Sequence, residues 1–144
     1  GGGININSFT GGYIFQCDQS SVRETMERCL FGSPAECWEM MKKLKWDSTA
    51  VFLFDSTERV LHGVFSPLEV GYNLEPHAFN GTIPSQVRVT VYYAAPQLEM
   101  HEFMPKLESP TQRGFHAGFV ASPQLSRREV VGLFDAMQQK LLLG

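Results

Sequence analysis

The residues of this chain that could act as nucleophiles, acid–base groups or metal ligands are three cysteines and four histidines. They are Cys17, Cys29, Cys37, His62, His77, His101 and His116. The cysteines are odd in number and contain no C-x-x-C pair, which supports neither a zinc site nor a disulfide framework. The histidines show neither H-x-x-H nor H-E-x-x-H spacing, and no Gly-rich phosphate loop or serine-nucleophile elbow is present. We therefore predict a chain that is not an enzyme and has no metal site and no cofactor.

Two of these residues, Cys29 and His62, are predicted to have structural rather than catalytic roles. Cys29 follows Val22 and Met26 at helical spacing, so we predict that it lies in the core, where a free cysteine behaves as a small hydrophobic residue. His62 alternates with Val60 and Val64 and is predicted to be a hydrogen-bonded histidine of a β-sheet.

Composition restricts the class of protein. The 144 residues fit one domain, and 43% hydrophobic against 19% charged residues is typical of a globular chain. A net charge of −3 argues against the broad basic surface of a duplex-binding protein. The cysteine usage and the absence of a secretion signal or an apolar run of about 18 residues predict an intracellular protein, cytoplasmic or nuclear, without a membrane partner. We interpret residues 1–11 as a linker or expression remnant and residues 12–144 as a single domain.

Apolar patterns predict the strands. Residues 51–65 read as a central hairpin whose first run is apolar at every position, so both faces of that strand should be covered. Residues 13–17 read as a first strand, residues 86–93 as an amphipathic strand and residues 115–119 as a last strand. Residues 67–81, rich in proline, glycine and asparagine, are predicted to form a long loop, where binding residues commonly lie.

Capping signals predict about three helices. Ser21 and Ser126 are each followed by glutamate three residues later, and Ser33 precedes a proline and Glu36. The second helix should run to about Lys45, and the lysines at its end either complement the helix dipole or form a nucleic-acid patch. Because strands outnumber helices and do not alternate with them regularly, the predicted class is α+β, with a mixed, curved sheet flanked by helices.

Five short motifs occur in a fixed order along the chain. They are GYIF (12–15), FGSP (31–34), VFL (51–53), LHGVF (61–65) and PSQVRV (84–89). In this order they resemble the DCD (development and cell death) domain of plant proteins, including the asparagine-rich stress proteins, over nearly all of residues 12–140. The family reads FGLP, LFL and PAQVRV at three of these places, and its PLxE motif is replaced by QLEM at 97–100.

The resemblance implies a non-enzymatic interaction module of stress or cell-death signalling that binds a protein or a small ligand. A weaker resemblance, at the level of fold, links the chain to the YTH branch of PUA-like domains and implies a strongly curved, mostly antiparallel PUA-like barrel. On that analogy Phe31 and Phe79 correspond to the aromatics that hold a methylated base.

Two functions follow as alternatives. The first is binding of a protein or small ligand at a surface built by the FGSP turn, the long loop and the strand after it. Its predicted binding residues are Phe31, Gly32, Pro34, Asn73, His77, Phe79, Gln86 and Arg88. The second is a reader of single-stranded RNA that stacks bases on aromatics. Its predicted cations are Lys42, Lys43, Lys45, Arg88 and Arg113.

Overall fold

The computed structural model describes residues 6–144. Over this range the chain forms seven strands: β1 (Gly11–Cys17), β2 (Leu30–Ser33), β3 (Thr49–Asp55), β4 (Val60–Tyr72), β5 (Ser85–Val91), β6 (Leu98–Glu99) and β7 (Gln124–Ser126). Four α-helices accompany them: α1 (Val22–Arg28), α2 (Trp38–Met41), α3 (Met100–Phe103) and α4 (Arg127–Leu143). The predicted α+β class is confirmed, with one helix more than the three that the capping signals indicated.

All seven strands belong to one mixed sheet in the order β2-β5-β4-β3-β1-β7, with β6 paired to β4. Only β1 and β3 run parallel; the other pairs are antiparallel. The sheet curls until β1 approaches β2, where the Tyr13 hydroxyl lies 3.4 Å from the Ser33 hydroxyl. No ladder joins these two strands. The curled half-barrel therefore has an open line between β1 and β2, which we call the seam.

The two faces of β3 pack into two separate cores. Phe52 and Phe54 belong to a cluster with the apolar face of α4, including Phe134. Val51 and Leu53 belong to a second cluster inside the curl of the sheet. The uninterrupted apolar run predicted this double burial, and the prediction is confirmed.

Helix α4 begins as its capping signal predicts. The Ser126 hydroxyl accepts a hydrogen bond from the Glu129 N–H (3.2 Å), and the Glu129 carboxylate accepts one from the Ser126 N–H (2.9 Å). Val130, Phe134 and Met137 are buried on one face. Leu141, which continues the same helical spacing, is 52% exposed.

The capping box predicted for α1 is wrong. The Ser21 hydroxyl accepts a hydrogen bond from the Asp18 N–H instead of capping the helix, and the Glu24 carboxylate binds the Phe79 N–H at 3.0 Å. Cys29 takes the left-handed conformation just beyond the helix (φ 50°) and is exposed. Its predicted place in the core is therefore also wrong.

The second predicted helix is much shorter than expected. Ser33 pairs with β5 as the last residue of β2, so it cannot cap a helix. A 3₁₀ turn (Ala35–Cys37) follows Pro34, and α2 then ends at Met41, four residues before Lys45.

The last predicted strand, residues 115–119, is absent. Gly114 (φ 92°) and Gly118 (φ 83°) both take left-handed backbone, which reverses the chain on either side of a 3₁₀ turn, Phe115–Ala117. The predicted loop at 67–81 is partly strand, because β4 continues through Pro67 to Tyr72 across a bulge.

Residues 1–11 were predicted to lie outside the core, and Phe9 is a correction to that. Phe9 is 2% exposed and packs against the rings of Tyr92 and Phe134 at 5.1 and 5.5 Å. Residues 1–5 of the predicted linker lie outside the described residues.

Candidate functional site

A pocket of about 400 Å³ opens along the seam. Strand β1 forms one side, the FGSP turn at the end of β2 forms the other, and residues 119–123 form an outer wall. Its lining residues are Tyr13, Ile14, Gln16, Cys17, Asp18, Ser21, Gly32, Ser33, Pro34, Cys37, Ile83, Phe119, Val120 and Pro123. We call this space the seam pocket. It exists because the curl of the sheet ends before β1 and β2 can pair.

Backbone polar groups of both strands face the seam. The Ile14 N–H turns away from β3 to bind the Pro123 carbonyl (2.8 Å), so by strand alternation the backbone of Gln16 points the same way. The Val89 N–H binds the Cys29 carbonyl (2.9 Å), which places the hydrogen-bonding groups of Gly32 on the side away from β5. The pocket is therefore edged by main-chain donors and acceptors on two sides.

Gly32 is needed for the shape of its side of the pocket. A Cβ atom at this position would lie 2.5 Å from Cγ2 of Ile83, which also lines the pocket. The absence of a side chain at position 32 lets Ile83 close the bottom of the site.

Two side chains hold the outer wall. The Gln16 amide donates to the Gly118 carbonyl (2.9 Å) and accepts from the Val120 N–H (2.8 Å). Arg113 donates to the carbonyls of Ser122 and Gln124, each at 2.9 Å. These contacts fix residues 118–124 opposite β2 and leave the Phe119 ring 51% exposed beside the pocket.

The Cys17 thiol and the Tyr13 phenol inside the pocket are neutral at pH 7. Burial raises the pKa of the Cys17 thiol to about 12 and also raises the pKa of the Tyr13 phenol. Asp18, exposed at the rim, has its pKa lowered, first by a hydrogen bond from the Ser20 hydroxyl. The interior can therefore accommodate an uncharged group, and the one carboxylate at its edge is ionised.

The family model for the development and cell death domain matches residues 11–137. The chain belongs to the DCD domain family. The B2 protein of Daucus carota is 31% identical over 141 residues, which cover 92% of this chain and 65% of the relative. A DCD domain-containing protein of Arabidopsis thaliana, NRP, is 28% identical over 137 residues, covering 90% of this chain and 37% of the relative. This DCD domain thus spans less than two-thirds of the length of either relative.

Solved structures share the fold of this DCD domain. The Pho92 YTH domain in complex with m6A superposes with a TM-score of 0.69 at 11% identity, covering 94% of this chain and 91% of that chain. The Mmi1 YTH domain in complex with RNA gives a TM-score of 0.62 at 9% identity, covering 94% and 82%. The predicted fold-level resemblance to YTH domains is confirmed.

The DCD motifs contribute unequally to the seam pocket. Of the predicted binding residues, Gly32 and Pro34 line it. The Phe31 side chain points to the opposite face, is 1% exposed and packs edge-to-face on Phe65 with ring centroids 4.9 Å apart. Phe31 instead forms the floor of a smaller apolar groove of about 240 Å³ between α1 and β5.

The other predicted binding residues hold the 73–84 loop in place. The buried Gln86 amide accepts from the Glu75 N–H (2.8 Å) and donates to the carbonyls of Glu75 (3.2 Å) and Ile83 (3.0 Å). Phe79, 8% exposed, packs with Leu30 in a small core beneath this loop. The loop is therefore fixed by contacts that leave Gln86 and Phe79 little surface for a ligand.

The remaining three of these residues lie at the edge of the loop. Arg88 is neutralised by two carboxylates, Glu69 (3.5 Å) and Glu75 (2.9 Å). Asn73 is exposed in left-handed backbone (φ 58°), and its N–H binds the Pro84 carbonyl at 2.7 Å. His77 is exposed at the start of the 3₁₀ turn Ala78–Gly81.

Most cations named for RNA binding already have partners. Besides Arg88, Arg113 is an ion-pair partner of the buried Glu129 at 2.7 Å, and Lys42 pairs with Glu39 at 2.5 Å. Within residues 6–144, Lys43 and Lys45 form no ion pair. The sequence missed the pocket residues Gln16, Phe119 and Val120, because a contact between positions more than 100 residues apart leaves no local pattern.

A cluster of potential metal ligands lies elsewhere. Glu99, His101 and Glu102 bring three ligand atoms within 4.8 Å of one another. One oxygen of the Glu102 carboxylate, Oε1, already accepts from Lys140 (2.8 Å) and from the Glu99 N–H (2.8 Å), and the Lys140 ammonium beside it disfavours a second cation. None of the helices within residues 6–144 combines the length and apolar character that a bilayer-spanning helix needs.

Proposed function

We propose that this DCD domain is a non-catalytic binding module and that the seam pocket takes a planar, uncharged heteroaromatic group. The observation that carries the proposal is the pair of main-chain edges, at Gln16 and Gly32, that face a space of about 400 Å³. Pockets of this size, with apolar walls and a few convergent polar groups, typically bind small molecules. Binding there would serve a regulatory role in development and cell-death signalling inside the cell.

The chemistry of the walls favours a heteroaromatic ring. Ile83 and Val120 supply apolar surface, and the Phe119 ring stands exposed beside them. Main-chain N–H and C=O groups can pair with the alternating donors and acceptors at the edge of such a ring. Among the described residues, no lysine or arginine lines the pocket, which disfavours an anionic ligand.

The same walls support a non-catalytic module. The Cys17 thiol, with its pKa raised to about 12, is protonated at neutral pH and is a poor nucleophile. Asp18 is ionised and exposed, and its carboxylate is engaged by Ser20 at 2.6 Å. The raised pKa values of Cys17 and Tyr13 and the lowered pKa of Asp18 keep each group in its usual protonation state at pH 7, so none of the three is set to exchange a proton there.

A second candidate function is binding of single-stranded RNA, in which the heteroaromatic group in the seam pocket is a base of the strand. The specific observation in its favour is the shared fold with YTH domains whose structures contain RNA or m6A. The net charge of −3 and the paired state of Arg88 and Arg113 weigh against a strong electrostatic contribution.

Calorimetric titration with ribonucleosides, including the m6A nucleoside, tests the proposal. We expect at least one to bind at micromolar to millimolar concentration. Val120→Trp, which places an indole at a residue that lines the pocket, should abolish that binding while far-ultraviolet circular dichroism shows that the fold is retained. Val91→Trp is the matched control, because Val91 is 59% exposed on β5 and does not line the pocket.

Equal binding by Val120→Trp and wild type, or no binding by any nucleoside, would refute the seam pocket as the site. A short single-stranded RNA carrying the preferred base separates the two candidates. Tighter binding of the RNA than of the free nucleoside supports the RNA reader, and weaker binding supports a small-ligand module.

A further inference from the structure

The lysines after α2 are not explained by the helix dipole. Because α2 ends at Met41, only Lys42 lies at a helix end, and its charge is paired with Glu39. Lys43 and Lys45 lie beyond the helix, are exposed and have no carboxylate within ion-pair distance among residues 6–144. The pKa of Glu39 is lowered first by its hydrogen bond from Lys42 and to a smaller extent by the charge of Lys43, and Asp47 follows the turn, so a partner would compete with these acidic groups for the two lysines.

Trp46 follows these lysines and is 70% exposed. The turn that carries it is fixed: the Lys45 carbonyl accepts from the N–H groups of Ser48 (3.2 Å) and Thr49 (2.9 Å), and the Lys45 N–H donates to the Thr49 hydroxyl (3.0 Å). The N–H of Thr10, the residue before β1, donates a hydrogen bond to the Ser48 carbonyl (2.9 Å). A large aromatic ring is thus held in solvent on an ordered turn. We call residues 43–46 the lysine–tryptophan turn.

A depression of about 350 Å³ adjoins this turn. Lys43 lines it together with Thr10, Thr49, Gln124 and Ser126, whose side chains carry hydroxyl and amide groups, and with the apolar residues Met40, Leu44 and Leu125. The buried Tyr13 lines both this depression and the seam pocket. The two sites therefore lie on either side of the same residue of β1.

We propose that the lysine–tryptophan turn binds single-stranded RNA, with Lys43 and Lys45 on phosphates and Trp46 stacked on a base. This inference rests on the RNA candidate above and assigns it a second contact. Unpaired lysines, hydroxyl donors and an exposed aromatic ring together match a strand that alternates phosphates with planar bases. An acidic peptide offers a ring to Trp46 only where it also carries an aromatic residue, whereas every nucleotide of RNA carries a base, so the aromatic residue favours RNA.

The test is a fluorescence-anisotropy titration of a mixed-sequence, single-stranded RNA of about ten nucleotides. Trp46→Ala should weaken binding by about 5- to 150-fold, the range measured for one stacked base, and Trp46→Phe should restore most of it. Lys43→Gln/Lys45→Gln should lower the salt slope of log K by about 1.4, at about 0.7 for each phosphate contact. The control is Arg23→Gln/Arg59→Gln, which removes the same charge from exposed positions outside the turn.

Unchanged RNA affinity in Trp46→Ala, or an equal loss of salt slope in the control, would overturn the assignment. Binding of a polyglutamate peptide as tight as that of the RNA would also overturn it, because the turn would then be a general anion site. Nucleoside binding in the seam pocket should be unchanged in all these variants. Failure of this inference is thus distinguishable from failure of the proposed function.

Discussion

Replacing Gln16 by leucine should loosen the outer wall of the seam pocket without unfolding the domain. The amide makes two hydrogen bonds to this wall, to the Gly118 carbonyl (2.9 Å) and from the Val120 N–H (2.8 Å). Each bond contributes about 1 kcal/mol net, so their loss should lower the free energy of opening of residues 118–121 by about 2 kcal/mol. The open population should rise about 30-fold.

Hydrogen exchange of the Ala121 amide measures this opening. Its N–H binds the Arg113 carbonyl at 2.7 Å, a contact that the substitution does not touch. We expect exchange at Ala121 to become about 30-fold faster, while an amide of the central strand, such as that of Phe52, keeps its rate. The matched control is Gln124→Leu, the same change at an exposed residue of β7 whose side chain does not hold the wall.

An unchanged rate at Ala121 would show that Gln16 does not position the wall. Equally faster exchange at Ala121 in Gln124→Leu would show that the effect is not specific to the two Gln16 hydrogen bonds. Either result would remove the structural reason for assigning the seam pocket a fixed shape.

Three further predictions concern stability. Glu129→Gln leaves the Arg113 guanidinium without its buried counter-charge and should lower the free energy of unfolding in urea by about 3–5 kcal/mol. Glu102→Gln removes one partner of a partly exposed ion pair and should lower it by less than about 1 kcal/mol. Equal losses in the two variants would contradict the buried role of Glu129. Gln86→Leu removes three hydrogen bonds that hold the 73–84 loop and should lower the free energy of unfolding by about 3 kcal/mol. A near-wild-type free energy of unfolding would argue against this role of Gln86. Burial lowers the pKa of His62 in the folded domain, so on acidification the unfolded chain binds a proton at this residue before the folded domain does. The contribution of neutral His62 to the free energy of unfolding should therefore be complete above about pH 6.5 and be lost as the pH falls through the lower pKa of the folded state. His62→Gln should flatten that part of the pH–stability curve, and an unaltered curve would rule out this origin.

Patterns within one element predicted the framework correctly. The apolar run of β3 indicated burial on both faces because consecutive strand residues face opposite sides. The Ser126–Glu129 box located the start of α4 because both partners lie within one turn. Such signals depend only on neighbours in sequence, and tertiary contacts did not override them here.

Local signals failed where distant residues compete for the same groups. Glu24 has the spacing of a capping box, but its carboxylate accepts a hydrogen bond from the N–H of Phe79, 55 positions further along the chain. Residues 115–119 alternate like a strand, but Gly114 and Gly118 reverse the chain on both sides. Periodicity cannot register either effect.

The candidate site was only partly predictable for a related reason. The FGSP motif contains Gly32 and Pro34, which line the seam pocket, and their role in binding stays a prediction. The loop after the hairpin was predicted to bind because of its composition, yet Gln86 and Phe79 fix it to the domain. The opposite side of the pocket is built by Gln16 and residues 118–123, which only the curl of the sheet brings together.

The most direct test of the central claim is a nuclear magnetic resonance titration of the isotope-labelled DCD domain with the nucleoside that binds best. If the seam pocket is the site, the amide resonances of Gln16 and Gly32 should shift progressively with ligand, since their N–H groups face the bound ring. The amide of Val91, which ends β5 and does not line the pocket, should stay unchanged. Saturable binding that leaves Gln16 and Gly32 unshifted would contradict the account.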